Sequence, residues 1–560
     1  MKLHNLMFWV GIVQIVEIGG TRGLASAGGV FLPGAGAVST SRAGAAVASA
    51  DDGEALVLNP AGLAKTMGTT ITISAALLQY AMELQRRGSY DAVPGQDYAY
   101  AGQPFPNTRN DAHPPLGIGK FQPLPVLAVV SDLGGLWHGR LRAAVGIYAP
   151  NAYPFRDMCT ELPGGCHRYV FNDDAAAPPP ARYDIIKQDA AVFLPSIAFA
   201  ARVLPALDVG LRLSAAQASI KSTTALWATL GNNYQEDVSQ DGTFSIDAKD
   251  SFVPTFGLGL AYRPTPNIEL GFNYSHQLSI HAKGTSISEI GPNAGGGLPV
   301  AIGPNADENA RCAPGGTMDV QKACVDFALP STAQLGGRYK FLDGAGALKA
   351  DVELDLSWEN WGKSCSEDDF NSGSCVTPGD YRVVPDSSVY IAGNRTFDLR
   401  DAIVHHGLRD SYGVRVGGSY HVPLGSARER GAANEVIVRG GIGYDTAAAK
   451  PGWLRADLDG AARTTLTVGA AYRMRNVEIS AGGGAILEGS PTNPDIGGGA
   501  EPCNTTDEMP GCGPSSATSR QGPDPIDPLR RADNQAESPI GQGDYKSHYV
   551  LFMLGATAWF

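Results

Sequence analysis

The residues able to do chemistry are few, and their spacing is wrong for most of it. Eight cysteines fall into four local couples, Cys159 with Cys166, Cys312 with Cys324, Cys365 with Cys375, and Cys503 with Cys512. Each couple sits in a polar stretch rich in Gly, Pro and Asp. An even count of this kind suits local disulfides in an oxidising compartment, and no C-x2-C spacing points to zinc. His276 and the pair His405-His406 lack partners at metal-ligand spacing. The run Glu367-Asp368-Asp369-Phe370-Asn371 lacks the ordered positions of a calcium loop and reads as a solvated loop. No G-x-S-x-G nucleophile elbow occurs. The glycines Gly440-Gly441 lie in a strand-like stretch, where they relieve crowding or admit a second segment. No catalytic residue, metal or cofactor is expected, and the chain is not read as an enzyme.

The elements that carry these residues point to a membrane. Among 560 residues the net charge is −13, and no Lys/Arg-rich run suggests nucleic acid as a partner. Residues 1–27 read as a secretory signal: Lys2 and His4, a mostly apolar run from Leu6 to Ile18, and a small-residue site at Ala25-Ser26-Ala27, so that the mature chain begins at Gly28. After residue 27 no stretch is long and apolar enough for a spanning helix. A mature chain of this kind is soluble or crosses a membrane as a closed barrel.

Period-two alternation favours the barrel. In Leu348–Glu359 one face is Leu348, Ala350, Val352, Leu354, Leu356 and Trp358, and the other carries Lys349, Asp351, Glu353 and Asp355. In Asn267–Ile280 one face is Ile268, Leu270, Phe272, Tyr274, His276, Leu278 and Ile280. These runs exceed the usual strand of a soluble sandwich and suit a transmembrane one. Similar runs predict fourteen strands, the third near 139–149, the seventh near 267–282 and the eighth near 327–341. An even number is what a single-chain bacterial barrel needs. Connections alternate short and long, and all four cysteine couples fall in long ones, as disulfide-clipped outer loops would. The final run places Val550, Phe552, Leu554, Ala556, Ala558 and Phe560 on one face, a terminal aromatic pattern that resembles the signal read by barrel-assembly machinery. Residues 66–560 are therefore expected to form an all-β, fourteen-stranded antiparallel transmembrane barrel. Residues 28–65, rich in Gly, Ala and Ser, are expected to form a small N-terminal hatch inside it.

A motif then becomes legible. Ser41-Arg42-Ala43-Gly44-Ala45-Ala46-Val47-Ala48, Asp51-Asp52 and Leu58-Asn59-Pro60-Ala61-Gly62-Leu63 resemble the N-terminal hatch of the long-chain fatty acid transporter (FadL/TodX-type) family, which an NPA tripeptide closes. Three later segments resemble the same family: Leu354-Asp355-Leu356-Ser357-Trp358-Glu359-Asn360-Trp361, the stretch from Asp410 to Tyr420, and Val438-Arg439-Gly440-Gly441-Ile442-Gly443-Tyr444-Asp445. The cysteine-clipped loops depart from the family's cysteine-poor pattern. The resemblance implies a monomeric outer-membrane channel for passive uptake of long-chain fatty acids or similar hydrophobic compounds, gated by the hatch. It assigns Phe31, Leu32, Asn59, Pro60 and Ala61 to gating or ligand contact. It also implies a kinked strand near the start of the barrel, and Gly146, Pro150 and Pro154 either break the third strand or mark its end.

A carboxylate ligand would want a cation in the lumen. Arg338, Lys349, Arg415 and Arg439 lie at inward or mixed positions, with Asp351, Glu353 and Asp355 as competing partners. An aromatic-hydrocarbon channel would use the same barrel. From other classes, a surface adhesin would use the large loops, and a barrel-embedded lipid enzyme would need a Ser/His pair that is not evident.

Overall fold

In the computed structural model, described from residue 31 onward, the chain closes into one barrel. The described residues exclude 91, 93–94, 96–97, 169–176, 227–237, 292, 294–297, 306–311, 313–314, 367–368, 370–374, 400, 425–433, 451–452 and 494–542. The signal segment, Cys503 and Cys512, and most of the acidic run at 367–371 lie outside the described residues.

Fourteen strands make the ring: β1 Thr70–Arg86, β2 Gln122–Ser131, β3 Leu141–Tyr148, β4 Lys187–Leu204, β5 Leu207–Leu226, β6 Gly242–Thr265, β7 Ile268–Ser275, β8 Thr332–Leu342, β9 Leu348–Glu359, β10 Ser411–Leu424, β11 Asn434–Asp445, β12 Arg463–Met474, β13 Val477–Leu487 and β14 Gly543–Trp559. Each pairs antiparallel with its neighbour, and β14 pairs with β1 from Thr70↔Trp559 to Arg86↔Gly543. Closure leaves no edge whose N–H and C=O groups would face lipid unpaired. Alternation sorts the side chains: Leu354, Leu356, Val414, Val416, Phe552 and Leu554 face outward, and Glu353, Asp355, Arg415, Leu551 and Met553 face inward.

Three strands depart from the uninterrupted runs expected. The third breaks after Tyr148 and resumes as Arg156–Leu162, so Pro150 and Pro154 bracket an interruption and not a strand end. Neither proline has an N–H to give to a ladder. The seventh stops at Ser275 and resumes as Leu278–Ile290, and the eighth is preceded by Gln321–Leu329 across Pro330-Ser331. The alternation of 267–280 is continuous in sequence, yet Leu270 is 43% exposed to lipid while Leu278 and Ile280, at 5% and 1%, point into the lumen. The strand changes face at His276-Gln277.

Beyond the ring the wall continues outward. Lys187–Leu204, Leu207–Leu226 and Gly242–Thr265 exceed the nine to eleven or so residues a spanning strand needs. Stretches expected as loops carry Val300–Pro304, Tyr381–Ile391 and Asn394–Asp398 as paired strands. Cys159–Cys166, Cys312–Cys324 and Cys365–Cys375 are disulfides, with Cα separations of 5.4, 5.7 and 5.7 Å.

The hatch fills the lumen at the level of the short turns. It is built from α1 Gly36–Thr40, α2 Ala55–Leu58 and a 3-10 turn Pro60–Lys65, joined by tight turns of small residues. Small residues are required because the barrel backbone comes close. A Cβ on Gly210 or Gly259 would strike the Pro60-Ala61 turn or the Asn59 side chain, and one on Gly441 would strike Arg42.

Candidate functional site

Inside the ring most buried polar groups of the hatch find protein partners, the Thr40 hydroxyl being an exception. β9 supplies many. Arg42 reaches Asp351 and Glu353 at 3.0 Å each. Asp355 accepts the N–H groups of Ala46 and Val47, and Glu353 accepts those of Ala48 and Ser49. Asn59 donates to the carbonyls of Val47 (2.9 Å) and Leu260 (3.0 Å), and its Oδ1 accepts the Ala61 N–H. Asn-Pro-Ala is therefore a cap and a strut: Asn59 stops one turn, starts the next through Pro60, and ties both to β6. Glu54 collects hydrogen bonds from Val38, Ser39 and Ser74. Burial is the larger effect on it, so its carboxyl lies above the usual range despite those bonds.

The cations singled out as lumen anchors divide by position. Arg338 pairs with Glu269 and Asp351, Arg415 with Asp445 and Ser357, and Arg439 with Glu478 and Ser480. Lys349 is exposed at the turn end of β9. Arg338, Arg415 and Arg439 form an ion-paired floor around the hatch, and of the four cations only Arg415 lines either of the two cavities above it.

Above the floor two cavities are stacked. The lower encloses about 950 Å³ of space, partly continuous with solvent, between the hatch tip and the wall, with Phe31, Leu32, Tyr148, His276, Trp358 and Arg415 among its lining. The upper encloses about 1090 Å³, also partly continuous with solvent, and is mostly apolar, with Leu124, Val192, Phe193, Ile220, Phe327 and Leu458 in its walls. Pro150 and Leu329 line both. The floor of the upper cavity is thus the interrupted segment of the third strand, which is clasped to the hatch: Asn151 Nδ2 donates to the carbonyls of Leu32, Pro33 and Gly34, and its own carbonyl accepts the Leu32 N–H. Phe31 lies 6.0 Å from the buried Trp361 ring. Of the hatch residues singled out, Phe31 and Leu32 reach the lower cavity. Asn59, Pro60 and Ala61 sit among the barrel glycines and line neither cavity.

The polar end of the upper cavity escaped the reading of the sequence. Arg156 is buried there, donating from Nε to the Ala456 carbonyl (2.9 Å) and from Nη1 to the carbonyls of Tyr153 (3.1 Å) and Phe155 (3.0 Å). It lies over the Tyr80 ring at 4.6 Å. It forms no ion pair with a carboxylate among the described residues, and the two nearest acids are otherwise engaged. Asp459 is bonded to the Tyr80 hydroxyl. Asp457 meets His406 at 2.9 Å and Arg455 at 3.3 Å. Burial pushes the Asp457 carboxyl up, but His406 and Arg455 outweigh it and hold the group below the usual carboxylate range. The segment 453–462 that carries these acids folds inward over the cavity, held also by Arg455 on Asp184 at 2.9 Å. Arg156 was indistinguishable in sequence from a loop arginine because its partners are backbone carbonyls.

The comparisons with known proteins agree with this architecture. The structure superposes on a Pseudomonas aeruginosa FadL homologue with a TM-score of 0.61 at 14% identity, covering 95% of this chain and 99% of that one. It superposes on the Ralstonia pickettii toluene transporter TbuX with a TM-score of 0.53 at 15% identity, covering 94% and 99%. For the P. putida toluene transporter TodX the score is 0.54 at 12% identity, again covering 94% and 99%. A sequence comparison with curated proteins finds no match. Residues 169–485, more than half of the chain, match the family described as outer membrane protein transport protein (OMPP1/FadL/TodX). The chain belongs to that family, and is an outer-membrane β-barrel channel for hydrophobic compounds.

Proposed function

We propose that the channel takes up long-chain fatty acids or similar compounds with an apolar chain and an anionic head, passively, through the upper cavity. The observation that carries this reading is Arg156: a buried guanidinium that donates to backbone carbonyls and pairs with no carboxylate among the described residues, at the polar end of a mostly apolar cavity that Asp457 and Asp459 also line. Burying a charge is costly unless it is paired, and a ligand carboxylate would supply the pairing. The apolar walls hold the chain, which is the usual division of labour in a small-molecule site. Release then requires the Asn151 clasp to open, because that clasp joins the hatch tip to the segment separating the two cavities. The other hatch residues singled out act by holding the plug in register, and the ion-paired Arg338, Arg415 and Arg439 by holding the floor.

Native mass spectrometry of the extracted full-length protein tests the ligand class. Oleate should remain bound through desolvation, and the corresponding alcohol should bind less. Equal retention of both, or preferential retention of toluene, would favour an aromatic-hydrocarbon channel, which needs no cation.

A further inference from the structure

The barrel wall opens at a second place. β6 and β7 are paired from Ile268↔Thr265 up to Ser275↔Gly257. β6 pairs again with the continuation of β7, Leu278–Ile290, from Lys283↔Lys249 to Ile290↔Gly242. Between these ladders, residues 250–255 and 277–282 form no register pairs with each other, the lower ladder ending on the His276 N–H donated to the Phe256 carbonyl (2.9 Å), although the register on either side is the same. The outer neighbours hold: Asp250 and Val253 remain paired with β5, and Leu278 with Leu329. Above the Phe256–His276 bond the two strands therefore part from each other while keeping their outer neighbours, leaving a narrow slit.

Both lips are built for it. Pro254 has no N–H to give, and the Thr255 hydroxyl donates to the His276 carbonyl in place of a ladder bond (3.1 Å). Asp250 spends its carboxylate on the His281 N–H at 2.9 Å. Both strands also change face across the gap. On β6 Gly257, Gly259 and Ala261 point inward below it, and Ile246 and Ala248 point inward above it, while Leu278 and Ile280 make the same change on the other lip. His276 is exposed and yet lines the lower cavity, together with Thr255, Ser275 and Leu278. A side chain that meets both the cavity and the outside stands in an opening. Phe256 stacks on His276 at 4.8 Å and closes its lower end.

The level is the outer edge of the lipid-facing band. Below the slit β6 shows Leu258, Leu260 and Tyr262 outward, and at its upper end Phe252 is 67% exposed. Counted from Thr265, the roughly nine to eleven residues that span a membrane end near Thr255. The slit thus lies where the apolar band meets the first ionisable groups, Asp250 and His281, with the exposed pair Lys221–Asp247 just above.

We infer that the β6–β7 slit is a second lateral portal, through which the apolar chain of a ligand passes between the lower cavity and the outer leaflet, separate from the break in β3. The inference rests on the transport reading above. It is tested with a palmitate carrying a terminal diazirine, photolysed on the full-length protein in outer-membrane vesicles, with labelled residues mapped by mass spectrometry. Label on Thr255, His276 and Leu278, together with Val192, Phe193 or Ile220 of the upper cavity, is the expected result. Upper-cavity label without any at those three positions would overturn the portal and leave the transport reading standing. No label in either place would overturn both. As a second arm, Val253→Cys with Ser279→Cys, joined by a short thiol cross-linker, should abolish slit label and slow uptake while upper-cavity label persists. Uptake that is unaffected by the joined pair would contradict the portal.

Discussion

Single side chains divide this lumen into a floor of ion pairs and a cavity whose buried cation meets backbone carbonyls. Arg156 differs from Arg338, Arg415 and Arg439 in lacking an acid, and the proposed function gives it the ligand head group; Arg212, in the lower cavity, likewise lacks an acid among the described residues but is spent on the Leu56 and Val57 carbonyls and the Ser275 hydroxyl. Hydrogen bonds to charged groups contribute about 1.5–3 kcal/mol. Arg156→Met should therefore weaken oleate binding by roughly ten- to a hundredfold, with alcohol binding of the same chain length unchanged, as read by calorimetry on the extracted protein. Equal loss for both ligands would mean that the substitution damages the cavity and not a carboxylate contact. Arg42 makes the opposite case, a cation fully committed to structure. Arg42→Ala would leave Glu353 buried without a cation and Asp351 with Arg338 alone, and a buried carboxylate left without its partner costs about 3–5 kcal/mol. The barrel should still form while the hatch loosens, seen as faster proteolysis of residues 31–65 and higher single-channel conductance.

At the scale of elements, the inward segment 453–462 is held by ion pairs whose pH dependence has a definite sign. The Asp457 carboxyl is depressed in the folded protein, so its contribution is present above the ordinary aspartate value of about 3.9 and is lost as pH falls towards its folded value. Hydrogen exchange of this segment should be flat, after correction for intrinsic rates, between about pH 7 and 5 and should accelerate below about pH 4. Acceleration on raising the pH would contradict the assignment. Element existence was legible in sequence wherever alternation was uninterrupted, as in Leu348–Glu359, because lipid outside and a polar lumen inside impose period two. The face change in 267–280 was not legible: Leu278 and Ile280 continue the pattern of Leu270 and Phe272, and only the backbone reverses. Pro150 and Pro154 marked the irregularity in the third strand, but whether the chain would resume after them depended on Arg156–Leu162 finding Lys187 and Gln188 across the gap. Likewise Arg156 carries no local signal, since its role comes from Tyr80, Asp457 and Asp459, which lie far away in sequence. The outer sheet at 300–304 and 381–398 was hidden by its Gly- and Pro-rich surroundings.

For the whole molecule, stability resides in the closed ladder, and the disulfides lie outside it. The bridges span only 7, 12 and 10 residues in sequence, so each constrains a short loop. Reduction should leave the temperature at which the barrel loses its compact gel migration nearly unchanged and should make the outer loops more sensitive to protease. A large fall in that temperature would place the bridges within the stabilising core. Closure also explains how the chain can carry interruptions in β3 and between β6 and β7, because the remaining strands hold the ring while local segments turn inward to meet the hatch and the cavities. The account as a whole is one of a hydrophobic anion passing from an apolar cavity to the membrane through a plugged barrel. Its most direct test is uptake of radiolabelled oleate by cells lacking the protein and by the same cells carrying it, with Arg156→Met alongside. The account predicts uptake that depends on the intact protein and falls with the substitution, whereas equal uptake with and without the protein would contradict it.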